Sequence, residues 1–107
     1  MAIPKKQIDP DRPVEQVKLA LEGLKAEYPD ARVAVRRYTP YFIRARVLAS
    51  SFEGVSRTAR DNKAWKCLEQ VPEDTVQQIT LLALLTPEEA EHSLVSAEFD
   101  QPSESRL

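Results

Sequence analysis

Two short alternating segments, separated by almost nothing, limit this fold more than any other feature. In residues 31–38, Val33 and Val35 alternate with Arg32, Ala34 and Arg36. In residues 41–49, Ile43, Ala45 and Val47 alternate with Phe42, Arg44, Arg46 and Leu48. A period of two marks strands with one packed face and one unpacked face. With only Thr39-Pro40 between them, the two form a hairpin. If Tyr38 paired with Tyr41, Val35 would sit opposite Arg44 and the faces would mix. An odd-numbered loop or a bulge is therefore expected. That register aligns the valines with the apolar set of the second strand and gathers Arg32, Arg36, Arg44 and Arg46 on the open face.

Helical signals flank the hairpin. Pro13 follows Asp11-Arg12 in a first turn, and Val14, Val17, Leu21 and Leu24 then recur at spacings of three and four up to Glu27. Tyr28-Pro29-Asp30 ends that helix. After the hairpin, Ser50–Gly54 reads as a turn. Ser56 caps a second helix to about Gln70, with Ala64, Trp65 and Leu68 on its buried side and Val71 beyond. Pro72-Glu73-Asp74 starts a short helical turn. Ile79–Leu85 is a strand buried on much of both faces. Thr86-Pro87-Glu88-Glu89 carries the cap, the first-turn proline and the reciprocal glutamate of a last helix that ends near Ser96. A helical crossover makes the second and third strands parallel. The expected fold is α+β, in the order α-β-β-α-α-β-α, with a mixed three-stranded sheet and helices packed on one face. Residues 1–12 are expected to be a flexible arm, 13–96 the single domain, and 97–107 a disordered acidic tail.

Composition excludes several classes. A chain of 107 residues with 42% hydrophobic and 30% charged side chains is a folded globular domain. The single cysteine, Cys67, forms no intrachain disulfide. The run Leu81–Leu85 is too short to span a membrane. Met1-Ala2-Ile3-Pro4-Lys5-Lys6 has no apolar stretch behind its lysines, so a cytoplasmic location is expected. The net charge of −2 is unevenly spread: zero over 1–29, +6 over 30–66 and −8 over 67–107. A basic centre and an acidic end can steer a partner, or each other.

Several local motifs resemble the BolA family, whose fold is related to type II KH domains. They are Ser51-Phe52-Glu53-Gly54, then Ser56-Arg57, Arg60, Trp65 and Leu68, and finally Leu85-Thr86-Pro87-Glu88-Glu89. The Phe-x-Gly-x-Ser-Arg and Thr-Pro-Glu-Glu elements are the specific ones. The resemblance implies a regulatory or adaptor domain and no enzymatic activity. It also implies where an iron–sulfur ligand belongs, and there the sequence departs. Gln78 stands where the family usually has a histidine, Asp61-Asn62 replace a usual His-Arg pair, and the first turn, Tyr38-Thr39-Pro40-Tyr41, carries no His or Cys. Cluster binding needs thiolate or imidazole ligands. No cofactor is expected.

The chemistry-bearing residues agree. His92 and Cys67 are the only soft metal ligands and belong to different helices, so neither a metal site nor a Cys-His nucleophile is expected. Glu88, Glu89 and Glu91 read as a helix cap and a solvated face. There is no glycine-rich phosphate loop, and no catalytic residue is assigned. Two surfaces remain. The first is a protein interface on the open sheet face, made of Phe42, Leu48, Leu82 and Leu84 rimmed by Arg44 and Arg46, and serving a protein partner or a homodimer. The alternative is nucleic-acid binding by Arg57, Arg60, Lys63 and Lys66, which recur every third residue and spread around a broad helical face.

Overall fold

The computed structural model of the chain describes residues 11–100. Most of the expected arm at 1–12, and residues 101–107 of the expected tail, lie outside that range.

The first helix starts where its capping chemistry puts it. Asp11 accepts from the Val14 N–H at 3.3 Å, and Pro13 sits in the first turn of α1 (Arg12–Leu21). Val17, Ala20 and Leu21 face inward. The chain then tightens into a 3-10 turn over Glu22–Ala26, which buries Leu24. Tyr28 closes the segment edge-on against Phe52, with ring centroids 4.8 Å apart.

The hairpin adopts the bulged register. β1 (Arg32–Thr39) runs antiparallel to β2 (Phe42–Leu48), with Val33 opposite Val47 and Val35 opposite Ala45. The register slips between Arg37 and Thr39, leaving Tyr38 as the extra residue of a bulge. Beyond β2, Gly54 takes φ +78°, a left-handed conformation that favours glycine. Ser56 caps α2 (Arg57–Leu68) through the Ala59 N–H at 3.0 Å. After α3 (Glu73–Val76), β3 (Ile79–Leu85) pairs parallel to β2, giving the strand order β1-β2-β3. The α+β class and the mixed three-stranded sheet are thus as expected. The main core lies on one face, where Val17, Leu21 and Leu24 meet Ile43, Ala45, Val47, Phe52, Ala64 and Leu68. No helix among the described residues is long and apolar enough to cross a membrane.

Three features differ from expectation. Trp65 is 42% exposed and Arg60 is buried, because the inward line of α2 runs through 60, 64 and 68. Trp65 stands about 100° around the helix from that line. The last helix is two helices. α4 (Pro87–Glu91) ends at His92, and Ser93 starts α5 (Leu94–Asp100) by accepting from the Ser96 N–H at 3.2 Å. Helix thus continues past Ser96, with Phe99 only 1% exposed. Finally, α5 crosses β2 on the face away from α1 and α2, so the sheet is covered on both sides where this short helix lies.

One guanidinium joins the elements. Arg60, 4% exposed, donates from Nε to the Val55 carbonyl at 3.0 Å. Its Nη1 reaches the Leu84 carbonyl at 2.9 Å and Glu89 Oε1 at 2.7 Å. Its Nη2 reaches the Phe52 carbonyl at 3.0 Å and Glu89 Oε2 at 3.2 Å. Every donor of the fork is used. Glu89 also accepts from the Thr86 N–H at 2.9 Å, completing a reciprocal capping box.

Arg60→Lys replaces that fork with a point charge unable to serve the same acceptors. Urea denaturation should show a loss of about 3 kcal/mol, the scale of a broken buried ion pair. Unchanged stability would mean the network holds little. The bonds from Arg60 and then from Thr86 lower the Glu89 pKa from 4.5 to about 2. Its contribution is therefore complete above pH 4.5 and is lost as pH falls toward 2. Thermal unfolding across that range should show the loss in the wild type and a shallower fall in Glu89→Gln.

Candidate functional site

Alternation along β1 and β2 puts Arg32, Ala34 and Arg36 on the same face as Phe42, Arg44, Arg46 and Leu48. This is the face away from the main core. At the hairpin end the Arg44 guanidinium lies over the Tyr38 ring, 3.5 Å from its centroid. Tyr41 is 74% exposed and Phe42 43%.

The middle of the face grips α5. The guanidinium groups of Arg36 and Arg46 lie 4.7 and 4.6 Å from the centre of the Phe99 ring. Arg36 Nη1 donates to the Phe99 carbonyl at 3.1 Å and to the Asp100 carbonyl at 3.4 Å. Arg46 Nη1 donates to Ser96 Oγ at 2.9 Å and pairs with Asp100 Oδ2 at 2.9 Å. The two arginines thus hold α5 through a ring, two main-chain carbonyls and a carboxylate. Cations are attracted to the face of an aromatic ring as well as to a carboxylate. The bond from Arg46, more than any other influence, holds the Asp100 carboxyl below its ordinary pKa.

The six residues expected to form an interface divide between the two faces of the sheet. Phe42, Arg44, Arg46 and Leu48 share the face. Leu82 and Leu84 do not, because they pair with Ala45 and Val47 and point into the main core, where Leu84 is 4% exposed. The cause is an irregularity in β3: Ile43 pairs with Ile79 but Arg44 with Leu81, so Thr80 is skipped and the alternation changes phase. Leu81, Ala83 and Leu85 take the second face instead. Val95 and Leu94, at the start of α5, are 47% and 88% exposed.

Of the four cations expected to form a basic surface on α2, Arg60 is internal and the other three are exposed. Lys63 lies 2.5 Å from Glu27, whose carboxylate raises the lysine pKa. Arg57 and Lys66 lie well apart along the helix.

The soft ligands do not meet. His92 borders an open depression of about 420 Å³ with Arg57, Glu88, Glu89 and Ser93. Cys67 borders a different groove, of about 540 Å³, between α2 and the 3-10 turn that follows α1. Desolvation pushes the Cys67 thiol pKa up, away from the thiolate form. Among the described residues, no three His, Cys, Asp or Glu side chains are grouped to hold a metal ion. The position of Gln78 is occupied by other chemistry. Its Oε1 accepts from Arg37 Nη1 at 2.8 Å, and Arg37 forms a bidentate pair with Asp11 at 2.8 and 2.9 Å. An amide engaged with a guanidinium does not fit an iron–sulfur ligand.

No family model matches the chain, and no curated protein matches its sequence. Among solved structures it is similar to BolA1 from Arabidopsis thaliana, with a TM-score of 0.45 and 15% identity. The match covers 69% of this chain and 94% of that one.

The placement of Leu84 has a direct consequence. Leu84→Lys should lower the unfolding free energy by several kcal/mol, as an unpaired charge enters the core. Phe42→Lys, at an exposed position, should change it by less than about 1 kcal/mol. Equal, small effects in urea would contradict the assignment of faces.

Proposed function

We propose that the chain is a BolA-like regulatory or adaptor module that acts by binding another protein. In this reading it is cytoplasmic, is not an enzyme and carries no cofactor. The observation that carries the proposal is the second sheet face. Arg36, Arg44 and Arg46, with Tyr38, Tyr41 and Phe42 beside them, form an arginine-aromatic surface of the composition enriched at protein interfaces. The contacts of Phe99 and Asp100 with Arg36 and Arg46 supply an example of a peptide segment that suits it. The motif resemblance to the BolA family supports the regulatory part. The engagement of Gln78 by Arg37 supports the absence of the cluster.

The competing reading, nucleic-acid binding through α2, is weakened by the internal placement of Arg60 and the pairing of Lys63. Three exposed cations, one of them already paired with Glu27, give few phosphate contacts and a shallow salt dependence.

Selection from a displayed random peptide library tests the proposal. Wild-type protein should retain sequences that pair aromatic with acidic residues, and the Arg44→Glu/Arg46→Glu variant should retain none of them. The reading fails if retained sequences show no such bias. It fails equally if single-stranded oligonucleotides bind at physiological salt and Arg57→Glu/Lys66→Glu abolishes that binding.

A further inference from the structure

We infer that α5 is a displaceable cover, and that the site beneath it takes an acidic, aromatic-bearing helical segment from a partner protein. The inference rests on reading the second sheet face as the docking face, and it names both the ligand class and the device that regulates access.

The cover is held by few groups of one kind. Phe99 and Ser96 are its buried side chains in the α5 range for which burial is described, at 1% and 2% exposure, while Leu94, Val95 and Ala97 are exposed. Its remaining grip is polar: two guanidinium groups on a ring, a hydroxyl, two carbonyls and a carboxylate. The connection to α4 is the short His92-Ser93 break, where one helix ends and a new cap begins. Rotation there can lift α5 while the main core stays intact, because none of the α5 residues belongs to that core.

The same contacts specify what can replace α5. Arg36 binds two successive main-chain carbonyls of α5, those of Phe99 and Asp100, so the ligand presents backbone carbonyls as well as side chains. The ring between Arg36 and Arg46 requires an aromatic residue at that point. Asp100 requires a carboxylate beside it, and Ser96 places a small hydroxyl residue three positions before the aromatic. Charge complementarity points to the same partner: the face is built from the segment of charge +6, and its cover comes from the segment of charge −8.

A cover in equilibrium with an outside ligand lowers the apparent affinity by the fraction of time the site is free. The probe is a fluorescent peptide of residues 93–100, acetylated and amidated, titrated into full-length protein. Phe99→Ala, which loosens the cover, should bind it at least tenfold more tightly than wild type. Asp100→Lys, altered at a half-exposed carboxylate, should do the same without opening a cavity. Adding Arg46→Glu to either should abolish binding. Equal binding by wild type and both cover variants, lost with Arg46→Glu, overturns the cover and leaves the docking face standing. No binding by any variant that keeps its circular dichroism spectrum overturns both. A peptide with alanine for the phenylalanine that binds equally well reduces the site to a general anion patch and overturns the ligand class. Dimerisation of the cover variants in place of peptide binding assigns the site to a second copy and overturns the choice of a foreign partner.

Discussion

The fold depends on one internal guanidinium. Arg60 sits where the turn after β2, the end of β3 and the start of α4 approach α2, and each contributes an acceptor. Backbone carbonyls of a turn and a strand end meet there in a place shut off from water, where an unpaired carbonyl is costly. Arginine suits this position because its fork is rigid and carries five donors, and the Glu89 carboxylate compensates its charge. The arrangement also explains why the most specific sequence motifs lie so far apart. Phe52, Gly54 and Ser56 shape a turn around Arg60, while Thr86 and Glu89 close the other side. They are one structural unit read from two stretches of sequence.

Much of the architecture was legible because it follows local rules. The caps at Asp11, Ser56 and Thr86 mark helix starts, and prolines at 13 and 87 reinforce two of them. The hairpin register followed from a conflict between loop length and alternation, which only an extra residue resolves; Tyr38 is that residue. The failures share a different cause. Alternation in β3 was counted from Ile79, but the skipped Thr80 reverses the phase for every later residue, and a parallel pairing irregularity leaves no mark in the sequence. Arg60 and Trp65 were misplaced because hydrophobicity was taken to decide which side of α2 faces inward. There, hydrogen-bonding capacity outweighs it.

The second sheet face was half legible. Its arginines and Phe42 are predictable from period two alone. Its cover was not, because Ser93-Leu94-Val95-Ser96 reads as the end of one helix until Ser93 is recognised as the cap of another. The segmental charges did carry the signal: a surplus of acid at one end of the chain and of base in the middle is satisfied here within the molecule, between Asp100 and Arg46. Sequence patterns specify which residues share an element more readily than which elements share a face.

The contact between Arg60 and the Leu84 carbonyl bears on solubility as well. The carbonyl of Leu85 accepts from the Ala49 N–H, just past the end of β2, so the carbonyl of Leu84 points outward, along the margin of the sheet. β3 is apolar through most of its length, and such a margin can template further strands from other molecules. A guanidinium already bonded to the outward carbonyl denies that template its acceptor. The opposite margin, β1, is protected differently, by the charges of Arg32, Arg36 and Arg37 along it. Among the described residues both borders of the three-stranded sheet thus carry the same residue type in two uses, once as a plug and once as a repellent.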